Sequence, residues 1–262
     1  MKKLLLLLGI LPILTQVATA WRDDVNIPKS GALKAMPPTQ LTYDLSWKGR
    51  VKAGSIDILM GKKDARYPKY FVCQAYGGST GWARAINPFS LNYIGFLRPD
   101  TLRPVMFVGN ETEGNKLKSY SNTFTSKSVV GTKTTTRKGK EPVVEKTAFR
   151  HNPTLDLFSA LLQARSLPLA QGEKVVMPLY PISAPYLARL TVLGREDFGG
   201  RNAIKIDIKL QKIGENDELV NYKKMKSATL WLSDDEWRIP LQLRVDAFIG
   251  DVRMSLTKQE NL

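Results

Sequence analysis

The chain has 262 residues, 43% of them hydrophobic and 24% charged, a balance that supports a packed core and excludes global disorder. Its formal net charge is +15, which favours polyanionic surfaces as partners without any readout of sequence. A single cysteine and a single histidine exclude an intrachain disulfide and a zinc site built from several such residues.

The first element in chain order is a leader. Lys2 and Lys3 precede an apolar run from Leu4 to Leu14, and Ala18-Thr19-Ala20 supplies small residues for a peptidase. Residues 1–20 therefore read as a secretory signal peptide cleaved before Trp21. The apolar run is shorter than the ~20 residues of a membrane span. Export to the periplasm follows as the expected localisation, with no transmembrane anchor after cleavage. There is also no cysteine just past the leader to carry a lipid. The polyanions of that compartment are lipopolysaccharide, phospholipid headgroups and acidic polysaccharides, and nucleic acid is not an expected partner.

Residues 21–40 read as an extended lead-in, because Pro28, Gly31, Pro37 and Pro38 oppose a regular helix. Residues 41–262 then read as a single β-rich domain. Leu41 to Trp47 alternates apolar and polar, and a return strand from Val51 to Met60 follows Lys48-Gly49-Arg50. This predicts a hairpin that buries Leu41, Tyr43, Leu45 and Trp47 on one face. Tyr70–Ala75 and Val105–Val108 predict further strands, with Trp82–Ile86 as a turn of helix between them. Tyr120–Val130 and Thr132–Arg137 predict a hairpin around Gly131, followed by a basic turn at Arg137-Lys138-Gly139-Lys140. A short helix is predicted to open at Asn152-Pro153, to share one face among Leu155, Phe158, Leu161 and Leu162, and to end near Arg165. Strands over 189–192, 203–210, 227–232, 239–247 and 251–256 complete the pattern. The predicted fold is all-β: an antiparallel meander forming a barrel or half-barrel with one short helix across it.

Several of these segments resemble the exported bacterial family 3108 of domains of unknown function. The opening similarity lies in Leu41-Thr42-Tyr43, Trp47 and Ala53-Gly54; the central one in Pro153–Arg165 with Pro168-Leu169 and Gly172. The last lies in Gly194-Arg195-Glu196, Ala203-Ile204-Lys205 and Leu230-Trp231-Leu232-Ser233-Asp234-Asp235 leading to Arg238-Ile239-Pro240. The resemblance spans roughly residues 41–256. It implies a periplasmic β-rich domain and carries over no catalytic residue.

Catalytic patterns are sparse. His151 is the lone histidine and reads as a surface or capping residue, and no Gly-x-Ser-x-Gly turn is present. Asp234, Asp235 and Glu236 are the densest acidic cluster, read as a hairpin turn or, alternatively, as carboxylates of a hydrolase. Cys73 lies in a strand-like run and reads as a small buried hydrophobe. No catalytic residue, metal site or cofactor is assigned. Trp82, Phe89, Tyr93 and Phe96 form the candidate ligand wall, for an acyl chain or a sugar, with core packing as the competing reading. Arg137, Lys138 and Lys140 form the candidate anionic-surface site, since 111–150 holds nine basic and four acidic residues. The functional expectation is a non-enzymatic binding or scaffold protein for an apolar or amphiphilic envelope component, with a lipid or glycan as ligand. An adaptor that docks a protein on a sheet edge is the alternative.

Overall fold

Leu41 and Tyr43 are fully buried while Gln40, Thr42 and Asp44 between them are not, the period-two exposure of a strand with one face on a core. In the computed structural model, which describes residues 20–27, 36–62, 64–222, 225–247 and 250–262, this strand is β1 (Thr39–Trp47). The leader read at residues 1–20 lies outside the described residues apart from Ala20, as does 28–35 of the lead-in. β2 (Val51–Lys62), β3 (Phe71–Ser79), β4 (Phe89–Leu97), β5 (Pro104–Glu113), β6 (Lys116–Phe124), β7 (Val129–Arg137) and β8 (Lys140–Phe149) follow. Later come β9 (Lys174–Leu179), β10 (Tyr186–Phe198), β11 (Arg201–Ile213), β12 (Leu219–Asn221), β13 (Met225–Ser233), β14 (Pro240–Ala247) and β15 (Gly250–Asn261). Three short helices interrupt them: α1 (Trp21–Asp24), α2 (Gly81–Ile86) and α3 (Leu157–Arg165).

All 15 strands belong to one sheet, ordered β8-β7-β6-β5-β4-β3-β2-β1-β15-β14-β13-β11-β10-β9, with β12 beside β11. Neighbours along this path are antiparallel, and β1 joins the two halves by pairing with both β2 and β15. β8 and β9 do not pair, so the sheet curls without closing. The predicted all-β half-barrel is the observed fold.

Five local expectations are corrected. Trp47 is 43% exposed, because it is the last residue of β1 and, although it pairs with Val252 on the same face as Leu45, it stands at the rim beyond the core. The loss expected of a core tryptophan therefore does not apply to it. The hairpin predicted around Gly131 turns instead at Thr125–Ser128, closed by Thr125 N donating to Ser128 O at 2.8 Å. Gly131 lies inside β7, where a Cβ would stand 2.8 Å from Tyr180 Oη, so glycine leaves room for the Tyr180 hydroxyl to reach across the strand. The helix opens at Asp156 rather than Asn152, and Leu155 bridges to Leu179 instead of joining the helical face. The lead-in is not simply extended, since Trp21 sits in α1 and is 2% exposed. His151 is neither a surface nor a capping residue; it is half-buried against the rings of Trp21 and Phe149, at 5.1 and 6.0 Å between centroids.

Candidate functional site

The concave face of the sheet is shared between α3 and a partly covered apolar strip, of which Ile56, Leu91 and Met254 pack against the main cluster. Asp156 caps α3: its Oδ1 accepts from Ser159 N at 2.6 Å, while Ser159 Oγ accepts from Asp156 N at 2.8 Å, a reciprocal capping box. The helix lays Phe158 and Leu162 into a cluster with Tyr43, Met60, Cys73, Leu97 and Phe107. On its other side Ala164, with Leu155 just before the helix, joins Met177, Leu190, Ile204, Leu230 and Leu232. Leu161 packs against both clusters, so α3 is the wedge that makes them one interior. Its close seat needs Gly95, where a Cβ would lie 2.5 Å from the Phe158 ring and 3.0 Å from Asp156 Oδ2. Burial raises the Asp156 carboxyl to about 6, against the hydrogen bonds from Ser159 that lower it; among the described residues its Oδ2 has no hydrogen-bond partner.

The far end of α3 is clasped by two arginines. Arg165 Nε donates to the carbonyls of Trp237 and Arg238, each at 3.0 Å. Arg238 Nη1 donates back to Arg165 O at 2.7 Å and to Leu167 O, satisfying carbonyls that a helix C-terminus leaves open. Burial is the main cause that lowers Arg165 to about 10, followed by the charge of Arg238. The Asp-Asp turn serves the same clasp: Asp235 Oδ1 accepts from Ser233 Oγ, Trp237 N and Arg238 N, and Asp234 pairs with Arg195 at 2.8 Å. These carboxylates are occupied in building a turn.

Beyond α3, Leu45, Ile56, Leu91, Val245, Val252 and Met254 remain only half-buried. Register makes them neighbours: Val245 faces Val252, Met254 faces Leu45, and Ile56 and Leu91 flank Gly77. A Cβ at Gly54 would strike Gly78 O at 2.4 Å, so glycine permits the tight coiling of β2 on β3 here. Beside the strip Glu111 accepts from Tyr120 Oη at 2.8 Å and from Tyr93 Oη, and Lys118 lies 3.4 Å from the same carboxylate. Burial first, then Glu111, pushes both phenols well above their ordinary range. The strip is thus apolar with a polar anchor at one margin.

The four aromatic residues of the candidate wall do not converge. Phe89 and Tyr93 share the concave face of β4, with the Tyr93 ring 5.4 Å from Phe107. Phe96, at odd spacing from both, points to the other face and meets Tyr67 edge-on at 4.7 Å. Trp82 lies on α2 and is 47% exposed. Arg137, Lys138 and Lys140 are all exposed at the β7–β8 turn, which Gly139 makes with φ +72°. Cys73 is buried with Sγ 3.5 Å from Met60 Sδ, and burial raises its thiol far from reactivity. Leu45, expected to be buried with Leu41 and Tyr43, is only half-buried, and nothing in the sequence separates the other strip residues from ordinary strand residues.

Two cavities flank α3. One, of about 530 Å³, lies among the β4–β5 turn, the β6–β7 turn and residues 151–154. The other, of about 330 Å³, lies between Arg165–Pro168 and Asp235–Arg238. Among the described residues no helix is long and apolar enough to cross a membrane.

These features define an open, curled antiparallel sheet whose concave face is partly filled by one helix. The chain belongs to the family described as proteins of unknown function, DUF3108, whose family model matches residues 42–257. No curated protein matches it. The fold is similar to the crystal structure of a β-barrel-like protein of domain of unknown function DUF1849 from Brucella abortus. That likeness has a TM-score of 0.58 at 10% identity, over 87% of this chain and 99% of the other. The lipoprotein LppX of Mycobacterium tuberculosis aligns over 86% of this chain and 88% of its own, at 11% identity and a TM-score of 0.29, too distant a likeness to bear on the fold.

Proposed function

We propose that this is an exported, non-enzymatic binding or scaffold protein for an apolar or amphiphilic component of the cell envelope. The observation that carries the reading is the division of the concave face: α3 fills one part and leaves an aliphatic strip only partly covered beside the Tyr93–Glu111–Tyr120 group. Solvated aliphatic surface on a concave wall favours a ligand that removes it from water, at roughly 25 cal/mol per Å². Phe89 and Tyr93 belong to this wall; Trp82 and Phe96 do not. Arg137, Lys138 and Lys140 add weak, salt-screened attraction to an anionic surface, without a shaped pocket.

The adaptor reading draws on β8, an edge strand with nine of its ten residues exposed. Pro142, Glu141, Glu145 and Lys146 on that strand oppose pairing with another chain, which favours the ligand reading. Native mass spectrometry of the full protein, purified without detergent from the cells that make it, tests the two. A bound amphiphile of lipid mass is the expected result. A bare chain, or a bound protein in its place, would contradict it.

A further inference from the structure

The 530 Å³ cavity is remote from the apolar strip and has a different chemistry. Arg98 and Arg103 both line it, and none of its lining residues is acidic. The two arginines face one another across the β4–β5 turn, where Arg98 N donates to Arg103 O at 2.9 Å. Residues opposed in this way project their side chains to the same side, and like charges in that position repel. Among the described residues neither guanidinium has a carboxylate within salt-bridge distance or donates a side-chain hydrogen bond, and Arg103 Nη1 is buried without any partner. A buried, unmatched charged donor is a standing cost that a bound anion would remove.

The turn is also held rigidly. Leu102 between the two arginines has φ +50°, a conformation unfavourable for leucine, and is 1% exposed in the main core. Its N donates to Arg98 O at 2.7 Å. A strained backbone fixed by core packing presents two cations to one cavity. Phe124 and Val129 supply an apolar wall on the other side.

We propose that this cavity binds a phosphate-bearing ligand, with Arg98 and Arg103 together holding the phosphate. Two unpaired guanidiniums match the two charges of a phosphate monoester, and their planar forks suit its oxygens. An anion between them turns repulsion into attraction and gives the half-buried Arg103 guanidinium a partner. Burial lowers the Arg103 pKa, a direction that a bound anion reverses. The site stands apart from the concave strip, so it holds or fails independently of the amphiphile reading.

Isothermal titration of the full chain at low salt with inorganic phosphate, and separately with dihexanoyl phosphatidic acid, tests the proposal. One saturable site is expected for at least one probe. Arg98→Gln and Arg103→Gln are each expected to weaken it by roughly tenfold or more, while Arg137→Gln/Lys138→Gln/Lys140→Gln retains it. Tighter binding of phosphatidic acid than of phosphate assigns the site to a lipid headgroup, and comparable binding assigns it to a soluble phosphate ester. Arg98 is exposed, so its variant keeps the fold and the test stands even where Arg103→Gln unfolds. No saturable binding of either probe would overturn the proposal. So would undiminished binding by Arg98→Gln, or loss in the triple variant alone.

Discussion

Replacing Trp21 by alanine is expected to lower stability by roughly 3–5 kcal/mol, the range for deleting a buried large aromatic side chain. Trp21 lies in the seam between the unpaired edges β8 and β9. It packs with Val129, Phe149, Tyr180, Leu187 and Ile213, and its Nε1 donates to Asp217 O at 2.9 Å. The segment after it continues the closure: Asn26 N donates to Val176 O at 3.2 Å, and Asn26 Oδ1 accepts from Val176 N at 2.7 Å. Arg22 adds an ion pair to Asp217 at 2.7 Å. Losing the indole opens a cavity that these polar contacts cannot fill. Urea unfolding of the variant measures the loss, and a change below about 1 kcal/mol would show that the seam holds without Trp21.

The second large effect is a dependence on pH. Asp156 is completely buried and its carboxyl titrates at about 6, against 3.8 for the ordinary group. Its folded pKa is raised, so the fold favours the protonated form. That stabilisation is complete below the unfolded value and is lost as pH rises through about 6. The full span corresponds to about 3 kcal/mol at 1.36 kcal/mol for each unit. Asp156→Asn keeps an oxygen to accept from Ser159 N but does not titrate. The stability of the wild type relative to this variant should therefore rise by roughly 2 kcal/mol between about pH 7.5 and 4.5. Denaturant titrations at several pH values measure that difference. A constant gap would mean that the Asp156 carboxyl keeps one protonation state throughout.

Local pattern carried the sequence reading as far as local forces decide the structure. Alternation in Leu41–Tyr43 marks β1 correctly because these residues meet the same core throughout, whereas Trp47 keeps the same face but ends the strand at the rim, where the core no longer covers it. The capping pair Asp156 and Ser159 was present in the chain, but Pro153 drew the predicted helix start too early. The Asp234–Pro240 stretch was recognisable as a turn, and its clasp on α3 was not, because the Arg165 partner lies 72 residues earlier. Parity along β4 could have separated Phe96 from Phe89 and Tyr93. Nothing local announces that Trp21 closes a seam, since its partner Asp217 is 196 residues away. The pairing of Arg98 with Arg103 needs Leu102 in a left-handed conformation that leucine rarely adopts.

Binding of an amphiphile on the concave strip is tested most directly by titrating the full chain with dansyl-undecanoic acid and following its fluorescence. The wild type should show one saturable site. Ile56→Lys and Leu91→Lys, which place a charge on the half-buried strip, should each weaken it by roughly tenfold or more while unfolding remains cooperative. Unchanged affinity in both folded variants, or no saturable binding by the wild type, would contradict the assignment of the strip as the ligand surface.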